Sequence, residues 1–121
     1  MSSIIYRHIG IYNFETMLRG DTFRARDIAK LTLDGVPLGI ASARMQVRLK
    51  GGGSILLDWV CQITGAASNI VTLSARTAEE MQVLPPGVHE YDLEVRFTSD
   101  GAKRTIMMGR FPIKADITRI S

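Results

Sequence analysis

A chain of 121 residues with 45% hydrophobic and 22% charged side chains has room for one domain with its own core, without metal or disulfide staples. Fifteen Lys and Arg against twelve Asp and Glu leave a formal charge of +3, spread too evenly for the concentrated basic surface of a nucleic-acid binder. The single cysteine excludes an internal disulfide, no basic leader opens the chain, and its longest apolar stretch (54–63) carries Asp58 and is too short for a membrane helix. The expectation is a soluble protein of a reducing compartment, with no membrane and no nucleic-acid partner.

Taken in chain order, residues 11–18 (IYNFETML) and the stretch from Thr22 to Leu33 read as strands. Arg19, Gly20 and Asp21 link them; that tripeptide is a glycine and an aspartate at a turn, not an adhesion signal. LDGVPL (33–38) makes the next turn. In ARMQVRLK (43–50), Met45, Val47 and Leu49 alternate with Arg44, Gln46, Arg48 and Lys50, the period-2 pattern of a half-buried strand. KGGGS (50–54) is a hairpin loop leading into SILLDWVCQI (54–63), where Ile55, Leu57, Trp59, Cys61 and Ile63 share one face. Cys61, set among apolar residues, reads as a small buried thiol.

NIVTLS (69–74) is a further short strand. Thr77 with Glu80 three residues on forms a capping box, predicting a short helix over 77–84 that Pro85-Pro86-Gly87 ends. Tyr91, Leu93, Val95 and Phe97 then alternate with Asp92, Glu94, Arg96 and Thr98. Asp100-Gly101 turns the chain into a last strand from about Lys103. There Ile106 and Met108 are read onto one face, whereas Phe111 and Ile113 alternate beyond Gly109; a bulge at Gly109 would reconcile the two runs. Pro112 predicts an edge position.

Roughly seven short strands with regular turns predict an all-β chain. The expected architecture is an immunoglobulin-like antiparallel β-sandwich with one short helix near 77–84, a single domain over 1–121. Tyr91, opening a long strand after a helical corner, is placed like the tyrosine that ties such a corner to its own backbone.

Chemistry is thinly represented. His8 and His89 have no Cys, Asp or Glu at ligand spacing, so no metal is expected. Glu79/Glu80 belong to a helix start and Glu90/Asp92 to the polar side of a strand. No nucleophile elbow or phosphate loop occurs, and Gly51-Gly52-Gly53 lacks the lysine a phosphate loop needs. These residues predict no enzyme and no cofactor. One candidate remains, a partner-docking strip of Arg44, Arg48 and Lys50 on an exposed strand face. It either keeps the strand soluble and its edge unpaired or meets an acidic partner surface.

The blocks RGDTF (19–23), DGVPL (34–38), ARMQVR (43–48), TLSARTAEEMQVLPPGVHEYDLEV (72–95), SDGAKRTIMMGRFPI (99–113) and DITR (116–119) come in an order that resembles a known family. It is the immunoglobulin-like domain of tailed-phage structural proteins, typified by the N-terminal domain of upper baseplate proteins. The resemblance implies a non-enzymatic phage or prophage virion structural protein, an adaptor or accessory component of tail or baseplate. It would be assembled in the host cytoplasm and carried in the virion, acting through contacts with other phage structural proteins or as a homo-oligomer. In larger members the domain precedes fibre or receptor-binding segments; here the chain stops two residues after Arg119, which predicts a small adaptor rather than a fibre. Two other readings stand beside it. One is a carbohydrate- or ligand-binding sandwich, for which Tyr6, Tyr12, Tyr91 and Trp59 supply few aromatic rings. The other is a small phage regulatory protein that binds a host factor through Arg44, Arg48 and Lys50.

Overall fold

Alternating apolar residues become strands wherever a neighbour covers one face, and among the described residues ten strands form, with one short helix. The computed structural model describes residues 2–5, 10–19, 21–51 and 53–115. The strands are β1 (Ser2–Ile5), β2 (Gly10–Ile11), β3 (Met17–Leu18), β4 (Arg26–Leu33), β5 (Val36–Pro37), β6 (Ile40–Arg48), β7 (Ile55–Thr64), β8 (Ile70–Leu73), β9 (Gly87–Phe97) and β10 (Lys103–Lys114), with α1 (Ala78–Met81) before β9. Among the described residues, seven strands have four residues or more. The chain is an all-β sandwich.

Hydrogen bonding runs β1-β4-β8-β7-β6-β9-β10-β2 as one curled path. Strand β7 makes the turn between layers: Ile55 to Cys61 pair with β6, then Gln62 to Thr64 pair with β8. The inner face holds Trp59, Phe111, Leu31, Met45, Leu73 and Leu93, all fully buried. Each such side chain contributes about 1.5–3 kcal/mol by leaving water. Trp59 satisfies its indole N–H on the Ser74 carbonyl at 3.2 Å. The guanidinium of Arg76 lies 5.1 Å from the Trp59 ring centre and closes that end of the core.

The turns follow their residues. Asp34 and Gly35 take φ of 51° and 78°, the paired left-handed geometry that joins β4 to β5 in two residues. Thr77 caps α1: its hydroxyl accepts from the Glu80 N–H while the Glu80 carboxylate accepts from the Thr77 N–H. That bond from Thr77, followed by its hydroxyl, holds the Glu80 carboxyl below the usual glutamate range. Arg19 donates to the Gln82 carbonyl at 3.0 Å, so the arginine of the 19–21 tripeptide is engaged at the end of the helix.

Four expectations need correction. The bulge lies at Ile106, because Thr105 pairs with Glu94 and Met107 with Leu93. Two consecutive residues, Ile106 and Met107, therefore enter the core while Met108 is exposed. The sandwich is not wholly antiparallel: β1 runs parallel to β4, and β2 and β3 run parallel to β10. Residues 12–16 do not continue a strand, yet Tyr12 and Phe14 still donate to the Met108 and Arg110 carbonyls, so the edge beside Pro112 is largely covered. Finally, Tyr91 does not tie its own corner. Its hydroxyl donates to the Tyr12 carbonyl at 2.6 Å, across 79 residues; the local tie is made by His89, whose Nε2 donates to the Pro85 carbonyl four residues back.

Candidate functional site

Side chains that point away from the core on β7, β6, β9 and β10 form one broad outer face, and register decides their neighbours. Arg44 pairs across to Val60 on one side and Glu94 on the other, Gln46 to Asp58 and Asp92, and Arg48 to Ile55 and Glu90. Strand β10 adds Lys103 beside Arg96, Met108 beside Asp92 and Arg110 beside Glu90. Charge thus runs in stripes along the strands: cations on β6, carboxylates along most of β9, cations again on β10. Opposite charges at directly paired positions stabilise a sheet by roughly 0.2–1 kcal/mol each.

This arrangement revises the strip of Arg44, Arg48 and Lys50. Arg44 forms an ion pair with Asp58 at 3.1 Å, and Arg48 donates to Gln46. Lys50 lies past the end of β6, in the hairpin turn. The arginines therefore stand beside carboxylates rather than forming an unopposed basic strip. The pattern in residues 89–97 places Glu90, Asp92 and Glu94 on one face, but nothing local says that this face abuts Arg44 and Arg48. That pairing spans more than forty residues of chain.

Among the described residues, hollows of two sizes mark the face. A shallow one of about 190 Å³ is lined by Ser42, Arg44, Val60, Glu94, Arg96 and Lys103, among others. A larger groove of about 610 Å³ runs past Arg48, Glu90, Asp92, Met108, Arg110 and Asn13, over the backbone at Gly109. Its wall comes from the N-terminal segment: Asn13 accepts the Arg110 N–H on Oδ1 at 3.0 Å. Its other end is set by the β6–β7 turn, where the Gly51 N–H donates to Glu90 Oε1 at 2.7 Å. Asn13, Glu90, Asp92 and Arg110 are not site candidates in the sequence, because Glu90, Asp92 and Arg110 meet through the β9–β10 register and Asn13 joins them only by lying along β10.

The remaining reactive side chains serve the core. Burial pushes the Cys61 thiol up to about 12, far from a thiolate at neutral pH. Burial first, then neighbouring Tyr12, raises the Tyr91 phenol as well. His89 is buried, with Nδ1 unpartnered; His8 and Tyr6 lie outside the described residues. Among the described residues no three of His, Cys, Asp and Glu gather closely enough to hold a metal ion, and no helix is long and apolar enough to cross a membrane.

No family model matches the sequence, and no curated protein matches it. Among solved structures, the chain is similar to the crystal structure of CopC from Methylosinus trichosporium OB3b. The TM-score is 0.50 at 12% identity, covering 93% of this chain and 90% of that one. An identity so low carries the fold and nothing of the site, so what the comparisons establish is the β-sandwich.

Proposed function

We propose that this protein is a non-catalytic structural adaptor of a phage or prophage tail or baseplate, working through protein–protein contacts. The observation that carries the reading is the way the chain seals its own edge. Residues 10–18 lie along β10 through β2, β3 and the bonds from Tyr12 and Phe14, leaving that layer to meet partners by its faces. The resemblance of the sequence blocks 19–23, 34–38, 43–48, 72–95 and 99–113 to the phage immunoglobulin-like domain is what suggests a virion. Exposed Val60 and Met108 on the striped face give a partner apolar footing among the charges.

Light scattering after gel filtration, repeated over a wide concentration range, tests this. The expected result is a discrete trimer or hexamer, as a symmetric tail or baseplate part requires. A strict monomer that also fails to bind purified tail or baseplate proteins would overturn the adaptor assignment.

A further inference from the structure

The 610 Å³ groove has the size of a small-molecule site, and its polar groups share a feature that a merely solvated face does not require. Several are held by the protein through one atom while another stays available. Asn13 is fixed through Oδ1 by the Arg110 N–H, leaving its amide Nδ2. Glu90 is fixed through Oε1 by the Gly51 N–H, leaving Oε2. Arg48 is steadied by Gln46 through one terminal nitrogen. Asp92 and Arg110 add a carboxylate and a guanidinium whose side chains have no hydrogen-bond or ion-pair partner among the described residues. Groups fixed in this way lose little side-chain freedom when a ligand arrives.

The lining's charges select the ligand. Two guanidinium groups stand against two carboxylates, and the register places Glu90 between Arg48 and Arg110. A simple anion drawn to either arginine meets Glu90, and a cation drawn to Glu90 meets both arginines. Hydroxyl groups suit the set better, because each can donate to a carboxylate and accept from a guanidinium or amide. Exposed Met108 also lines the groove, an apolar side chain against which the C–H face of a pyranose can rest. We propose that this groove binds a neutral saccharide, held by Glu90 and Asp92 as acceptors and by Arg48, Arg110 and Asn13 as donors.

The test uses the full chain, isotope-labelled, titrated with the methyl glycosides of glucose, galactose, mannose and N-acetylglucosamine while amide shifts are followed by NMR. At least one glycoside should shift the amides of Asn13, Glu90, Asp92, Met108 and Arg110 together. Asp92→Ala and Arg110→Met should each weaken that binding about tenfold or more, the effect of losing a charged hydrogen-bond partner. Arg44→Ala, on the same face but outside the groove, should leave it unchanged. Unaltered melting curves would separate lost binding from lost folding, and Asp92→Asn gives a near-isosteric second variant should Asp92→Ala not fold. Absence of concerted shifts with all four glycosides, equal binding by the variants, or stronger shifts with glycine betaine or inorganic phosphate would each overturn the proposal. Because it is read on single chains, this result is independent of the oligomeric state that tests the adaptor assignment.

Discussion

At Gly109 a β-carbon would fall 2.0 Å from the Tyr12 carbonyl oxygen, so glycine is required there by another segment of chain rather than by its own turn. The Tyr12 carbonyl approaches where a side chain would stand, and it accepts the Tyr91 hydroxyl. Gly109→Ala is expected to cost roughly 2–4 kcal/mol, because backbone must move to admit the methyl group. Tyr91→Phe should cost about 1–2 kcal/mol by leaving that carbonyl unpaired; urea unfolding measures both. Cys61 provides the pH test. Its folded value near 12 against an ordinary 9.0 means that the unfolded chain gives up the thiol proton first as pH rises. Stability should therefore be unaffected by this group below pH 9 and fall between about 9 and 12, by at most about 1.4 kcal/mol per pH unit. Native Cys61 should accordingly react with a thiol reagent only as fast as the protein opens.

At the scale of elements, the N-terminal segment behaves as part of β10 although little of it is regular strand. Its Tyr12 and Phe14 amides donate to Met108 and Arg110, and the Phe14 ring packs 4.9 Å from both Tyr91 and Phe111. Hydrogen exchange should show these two amides protected comparably to those of β10, and Phe14→Ala should cost about 3–5 kcal/mol. The long strands were legible because their alternation is a local signal: Tyr91 to Phe97 and Met45 to Val47 fall on the faces that their spacing assigns. The bulge was misplaced because a glycine is the usual local mark of one. Here the extra residue is Ile106, which goes inward, and the glycine answers to Tyr12 instead. Parallel pairing of residues 10–18 with β10 was hidden for a related reason, since it depends on contacts nearly a hundred residues apart.

For the molecule as a whole, the decisive property is how charge is arranged rather than how much there is. Arginines at 44 and 48 were visible in the sequence as one side of a strand, but the carboxylates of β9 beside them follow from sheet order, which local spacing does not encode. Striping removes the uniform positive field that long-range attraction to a polyanion needs. Duplex DNA should accordingly show no gel retardation even at low salt, and Arg44→Ala, which removes the exposed pair with Asp58, should shift stability by less than about 1 kcal/mol. The parallel run of β2 and β3 beside β10 has a mechanical consequence. If residue 10 is drawn one way and residue 114 the other, the hydrogen bonds between them are loaded together in shear instead of parting one at a time. Stretched between those points in an optical trap, a single molecule should resist until that whole patch gives way at once. Pulled instead from the Asp34 and Asp100 turns, it should yield at markedly lower force.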